Sequence, residues 1–273
     1  MDELDFEHHL AQYNRLFGEE NRENATYARN RAIEMHNLHV HDALRDEQQK
    51  WLQLSGALAD PEAKHFALYG AGRRSGLLWT AYRGLLSTIQ IDRTAPLSSD
   101  EVKAVSRDLN TLYINIVGTI DNCAWCLRHE RGSEAVKTLP NASVGLFSKR
   151  FIGDPAFSSL RSALEAYRSW YEELRKRRDP AAHRIPLSVP PAVLTPDDAN
   201  RYRDVQRRID ETVAAGDYEA ADELEESQAR LGQFLPMFLH HPREPIIPFY
   251  PTISQDLTYL TRVSQQVRDF LHQ

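Results

Sequence analysis

Residues 175–186, RKRRDPAAHRIP, gather Arg175, Lys176, Arg177, Arg178 and Arg184 around Asp179, Pro180 and His183, in a chain of 273 residues whose net charge is −6. These are residue types that hold an anion and move a proton near neutral pH. Guanidinium forks match the oxygens of phosphate and carboxylate, and imidazole changes charge near physiological pH. Pro180 is expected to end or kink the helix before it, because the residue preceding a proline avoids helical angles. The cluster would then sit at a backbone break.

Other residues with chemical potential are more ambiguous. Asn115, Asn122 and His129 recur at steps of seven, with Asp121 beside them, and form a polar seam on one helix. Buried polar groups need partners. The seam therefore either makes helix–helix hydrogen bonds or faces a site. Cys123 and Cys126 form a CxxC in the middle of an apolar helical stretch, whereas redox pairs sit after a strand at a helix start. They are expected to pack as small buried residues. The stretch EMHNLHVHD offers His36, His39, His41 and Asp42. At helical spacing His36 and His39 share a face while His41 points away from His39, so a solvated helix face is expected and no metal site. GAGRRSG, residues 70–76, lacks the Gly-Lys-Ser/Thr ending and the preceding strand of a phosphate loop. It reads as a loose or kinked helix start at which Arg73 and Arg74 can touch an anion.

The elements that must position these residues are helical nearly throughout. Residues 19–58 read as one long polar helix with a thin stripe of Ile33, Val40, Leu44, Trp51 and Leu58. Asp60-Pro61 is an N-cap followed by a first-turn proline, opening a helix to about Ile91. Ser98 to Glu101 has capping-box spacing. It opens a central helix to about His129, along which Val105, Leu109, Leu112, Ile116, Ile120, Cys123 and Leu127 repeat at threes and fours. Residues 157–178 form another helix through Leu160, Leu164, Tyr167, Trp170, Tyr171 and Leu174. Thr195-Pro196 and Gly216-Asp217 start the two arms of a charged helical hairpin. FLPMFLHH and IIPFYP suit two short edge strands, since their prolines exclude a central strand. Residues 254–272 close the chain as an amphipathic helix.

The expected fold class is all-α: a bundle of about five long helices forming a single helical domain over 1–273. A helical hairpin and a short β-hairpin are inserted at 192–252. Hydrophobic residues make up 41% and charged residues 26%, with no run long and apolar enough for a membrane helix. The acidic N-terminus lacks a signal core, and two cysteines make no disulfide framework, so a cytoplasmic protein is expected. A pI near 6.0 argues against a general nucleic-acid coat but leaves room for a local basic site.

Arg178-Asp179-Pro180-Ala181-Ala182-His183 resembles the R-x4-6-H motif of the HEPN superfamily of small helical bundles. The layout over residues 75–186 and the last helix is similar as well: a central helix carrying TLYINIVGTIDNCAW, a second long helix, then the motif at its end. A competing match, Arg29 or Arg31 with His36, lies within the continuous polar helix. The resemblance implies a metal-independent endoribonuclease without a cofactor, of toxin or defence type. His183 would be the general acid/base and Arg178 the phosphate clamp. Asp179, Asp121, Asn122 and Asn115 would be supporting polar groups, and Arg175, Lys176, Arg177 and Arg184 would attract RNA. It further implies a homodimer that joins two motifs in one cleft, with an antitoxin or other protein as partner. Ile185 stands where some members carry a tyrosine. The alternative is a non-catalytic interaction or RNA-binding module, in which Arg178 pairs with a carboxylate such as Asp121 and His183 caps the bundle.

Overall fold

The computed structural model describes residues 4–17 and 22–273, so positions 19–21 of the expected first helix lie outside the described residues. Helix accounts for 75% of the structure and strand for little, which establishes the all-α bundle. In chain order the helices are α1 (Phe6–Phe17), α2 (Arg22–Ala57), α3 (Pro61–His65), a π-helical turn (Phe66–Gly72), α4 (Arg73–Thr88), α5 (Ser99–Glu130), α6 (Glu134–Lys137) and α7 (Lys149–Ile152). They continue with α8 (Ser158–Leu164), α9 (Arg168–His183), α10 (Pro196–Ala214), α11 (Tyr218–Ala229) and α12 (Thr252–His272).

Helix α5 is the axis of the bundle and packs against α3, the π turn, α4, α9 and α12. Its start follows from local chemistry. The Ser98 hydroxyl accepts from the Glu101 amide, and the Glu101 carboxylate accepts from the Ser98 amide, so two orphan donors are satisfied reciprocally. Arg93 adds a bidentate pair to the same carboxylate at 2.7 and 2.8 Å. Leu109, Leu112, Ile116, Ile120, Cys123 and Leu127 are fully buried along its length. Along α2 and the residue that follows it, the whole stripe of Ile33, Val40, Leu44, Trp51 and Leu58 is buried. Both thiols are free core residues, with burial pushing the Cys126 thiol up to about 12.

Two features depart from the sequence expectation. The segment expected as one helix over 157–178 is two α-helices joined by a 3-10 turn at Glu165–Tyr167. And Pro180 does not break α9: the helix runs through it to His183 and stops at Arg184, where φ is −141° and ψ is −84°. Proline's fixed φ is itself helical, and its cost is a missing amide donor. In the last turn, that loss falls close to the carbonyls that a helix end leaves open in any case.

The inserted hairpin forms as expected. Thr195 caps α10 with a capping box to Asp198, and Asp217 caps α11 after Gly216, whose φ of +79° suits glycine. An antiparallel bridge of Val193 to Gln233 clasps its base, and β1 (Met237–Phe238) pairs antiparallel with β2 (Ile247–Pro248). The hairpin lies over the first turn of α5, where Val102, Tyr202, Ile209 and Leu231 line an apolar pocket. Among the described residues, no helix is long and apolar enough to cross a membrane.

Candidate functional site

Helix α9 is anchored by its inner face. The Asp256 carboxylate on α12, fully enclosed, accepts from Tyr113 Oη at 2.8 Å, Trp170 Nε1 at 2.9 Å and Arg177 Nη2 at 2.8 Å. Burial raises this carboxyl, against the lowering effect of the Arg177 charge and the hydrogen bonds from Trp170, Tyr113 and Arg177. Arg177 is thereby drawn inward over the Tyr113 ring, away from the position expected for an RNA contact. A signal for this was present in the sequence. Arg177 lies three residues after Leu174 and seven after Trp170, which places it on the core-facing stripe.

The outer face and the end of α9 build an open cleft of about 700 Å³, lined by Glu172, Arg175, Lys176, Arg178, Asp179, Pro180, His183 and Arg184. Four cations thus face two carboxylates. Asp179 accepts from Arg175 at 2.7 Å and from Arg178 at 3.1 Å. Burial alone would raise its carboxyl, but the two guanidinium bonds outweigh it and hold it below the ordinary value. Lys176 pairs with Glu173 on the rim. The Nε of Arg178 is buried and makes no hydrogen bond among the described residues, whereas His183 and Arg184 stand exposed.

Geometry constrains how these groups work together. Because α9 is continuous, Arg178 and His183, five residues apart, project about 140° apart around its axis. They share the cleft because it wraps the helix end. One chain therefore offers a guanidinium and an imidazole to the same space without pairing them directly.

The supporting residues separate. Asp121 lies within electrostatic reach of Arg178, Arg74 and Arg175, and burial raises its carboxyl against those charges. Its role as the partner of Arg178 is taken by Asp179. Asn115 and Asn122 face the π turn and α4. Arg74 Nη1 donates to Asn115 Oδ1 at 2.8 Å, and a Cβ on Gly70 would lie 2.1 Å from Asn122 Oδ1. Helix–helix packing thus occupies the first two positions of the seam. His129, the third, stacks on Phe66 and Trp125.

The competing motif is not a site. His36 is 0% exposed, pressed between α1 and α2, rather than on the solvated face expected for it. Arg31 bonds Tyr27 and Glu34. GAGRRSG is a π-helical turn running into α4, with no phosphate-loop shape. Among the described residues, no three His, Cys, Asp or Glu side chains are grouped to hold a metal ion. No protein-family model, curated protein or solved structure matches this chain.

Proposed function

We propose that the chain is a metal-independent endoribonuclease of HEPN type that works as a homodimer, with RNA as substrate. The observation that carries this reading is the single cleft combining Arg175, Lys176, Arg178 and Arg184 with the exposed imidazole of His183. Four cations at an open surface suit a polyanionic backbone. The 140° separation within one chain favours a composite site, in which His183 of one copy and Arg178 of the other meet the same phosphate.

One His183 takes the 2′-hydroxyl proton as O2′ bonds to phosphorus. The P–O5′ bond breaks, and the second His183, as imidazolium, gives its proton to the departing 5′ oxygen. The products are a 2′,3′-cyclic phosphate and a 5′-hydroxyl. Arg178 neutralises charge developing on the non-bridging oxygens, which a planar fork does well.

A second reading, a non-catalytic RNA-binding module, is favoured by the ties of Asp179 to both Arg175 and Arg178. Incubating mixed RNA in EDTA with the wild type and with His183→Ala separates the two. His183 is exposed, so the variant keeps the bundle. The endoribonuclease reading expects cyclic-phosphate ends from the wild type and a loss of 10²-fold or more, in order of magnitude, in the variant. Equal cleavage by both proteins, or none by either, removes His183 as the catalyst.

A further inference from the structure

Beside the cleft, the π turn and α5 present a cluster of rings and cations that the cleft chemistry does not use. Phe66, Trp125 and His129 stack nearly parallel, with ring planes 16° to 23° apart and centroids 5.2 to 6.0 Å apart. His65 packs against Tyr69 at 5.3 Å. Arg73 lies over the Tyr69 ring at 4.5 Å and Arg128 over Trp125 at 4.9 Å. Tyr69 is 48% exposed, too open for a side chain whose purpose is core packing. Arg73 is exposed too, and its guanidinium makes no hydrogen bond or ion pair among the described residues. Arg128 is different: its guanidinium is spent on Asn141 and the Lys137 carbonyl.

The backbone makes this surface on purpose-built terms. An α-helix interrupted by a π turn changes the direction of the side chains that follow. Gly70 lets the turn press close to α5: a Cβ there would strike the Asn122 side chain. The result is that Tyr69 and Arg73, one turn apart, stand outward together.

Helix α5 packs against both the π turn and α9. Asp121 lies one turn before Trp125 on the same face of α5, about 6 Å along the axis. That same Asp121 is within electrostatic reach of Arg178 and Arg175 on α9 and of Arg74 on α4. The ring cluster and the cleft thus flank the same helix, α5. Lys64 and Arg73 are exposed here, as is Glu62, while the neighbouring Glu130 carboxylate is turned to the Ala59 and Asp60 amides at 2.9 Å.

We infer that the Tyr69–Arg73 pair, backed by the Phe66–Trp125–His129 stack, is a base-stacking platform that receives single-stranded RNA as it leaves the α9 cleft. This rests on the reading of the cleft as an RNA site and adds to it the strandedness of the substrate. Every base has a π-face, so the platform reads an unpaired strand without strong sequence preference. A duplex hides those faces and is not retained.

The experiment measures anisotropy of a fluorescein-labelled, 2′-O-methylated oligoadenylate dodecamer, which has no attacking hydroxyl, against a blunt duplex of the same length. The full-length chain is titrated as wild type, Tyr69→Ala, Tyr69→Phe and Arg73→Gln. The platform predicts tighter binding of the single strand. It also predicts roughly tenfold weaker binding for Tyr69→Ala, with Tyr69→Phe close to wild type. Arg73→Gln should lower the slope of log affinity against log salt by about 0.7, the value for one single-strand phosphate contact. Single-strand binding that Tyr69→Ala and Arg73→Gln leave unchanged overturns the platform while the cleft reading stands. Equal or tighter duplex binding, or no binding of either probe, also overturns it. Cleavage of unmodified RNA by the wild type and not by His183→Ala is judged separately and decides the cleft alone.

Discussion

Replacing His36 by leucine should abolish part of the chain's acid sensitivity. The wild-type ring is 0% exposed, and neither of its nitrogens makes a hydrogen bond among the described residues. Burial, then the charge of His9, lowers it from 6.5 to about 4; Asp5 opposes this, and His39 and Arg262 lower it further. In the unfolded chain the imidazole takes its proton near pH 6.5, whereas the folded chain refuses it until about pH 4. Between those values the unfolded state binds more protons, so stability is full above pH 6.5 and falls as the pH drops toward 4. The interval corresponds to about 3 kcal/mol. The leucine variant removes that loss while filling much of the same space. The assay is urea unfolding followed by tryptophan fluorescence, with buried Trp51 as reporter, at half-unit steps from pH 7 to 4. Wild type and variant should diverge through this window by about 3 kcal/mol in the pH-dependent part of stability. Glu101 cannot imitate the effect. The hydrogen bond from Arg93 brings its carboxyl down from 4.5 to about 2, so its contribution is lost only as the pH falls below 4.5. Parallel pH profiles for wild type and His36→Leu would refute the argument.

Two further perturbations test the packing that holds the cleft. Asp256→Ala strips the charge partner from Arg177 and the acceptor from Tyr113 and Trp170, and should cost about 3–5 kcal/mol in urea unfolding, as for other broken buried pairs. A loss under 1 kcal/mol would show that α9 is held by its apolar contacts alone. Gly118→Ala would place a methyl 2.6 Å from the Arg74 guanidinium carbon. Displacing Arg74 from Asn115 should destabilise by about 1–3 kcal/mol, read as a lower melting temperature, and an unchanged melting temperature would contradict the close approach.

Local rules read well from the sequence where local chemistry decides. Ser98 with Glu101, Thr195 before Pro196, and Gly216 before Asp217 mark helix starts and stops because the groups they satisfy are only a few residues away. The apolar stripes of α2 and α5 follow from helical period alone. What stayed hidden depends on distant neighbours. His36 reads as solvated until Phe6 and His9 of α1 are laid over it. Arg177 reads as one more surface cation in a basic run until Asp256, far along the chain, draws it inward. Pro180 reads as a break when proline's average behaviour is applied, yet the helix has only a single turn left there. The π turn has no periodic signature, though its glycines hinted at irregular backbone. Of the site itself, the basic cluster and His183 were legible as composition; the arrangement around the end of α9 was not.

The hairpin has one more consequence. Residues 196–229 hold 11 Asp and Glu against 4 Arg, a net −7. With 33 Lys and Arg and 39 Asp and Glu in the whole chain, the remainder has 29 against 28, a net +1. The acidic isoelectric point is thus a property of an appendage, and the bundle beneath it is close to neutral. The hairpin rests on the first turn of α5, whereas the cations of the cleft gather on α9, so the fixed charge is unevenly spread. A polyanion drifting nearby feels a torque before it feels a contact. It is turned from the hairpin toward the α9 cleft, and shortening the Debye length with salt dissolves that guidance first.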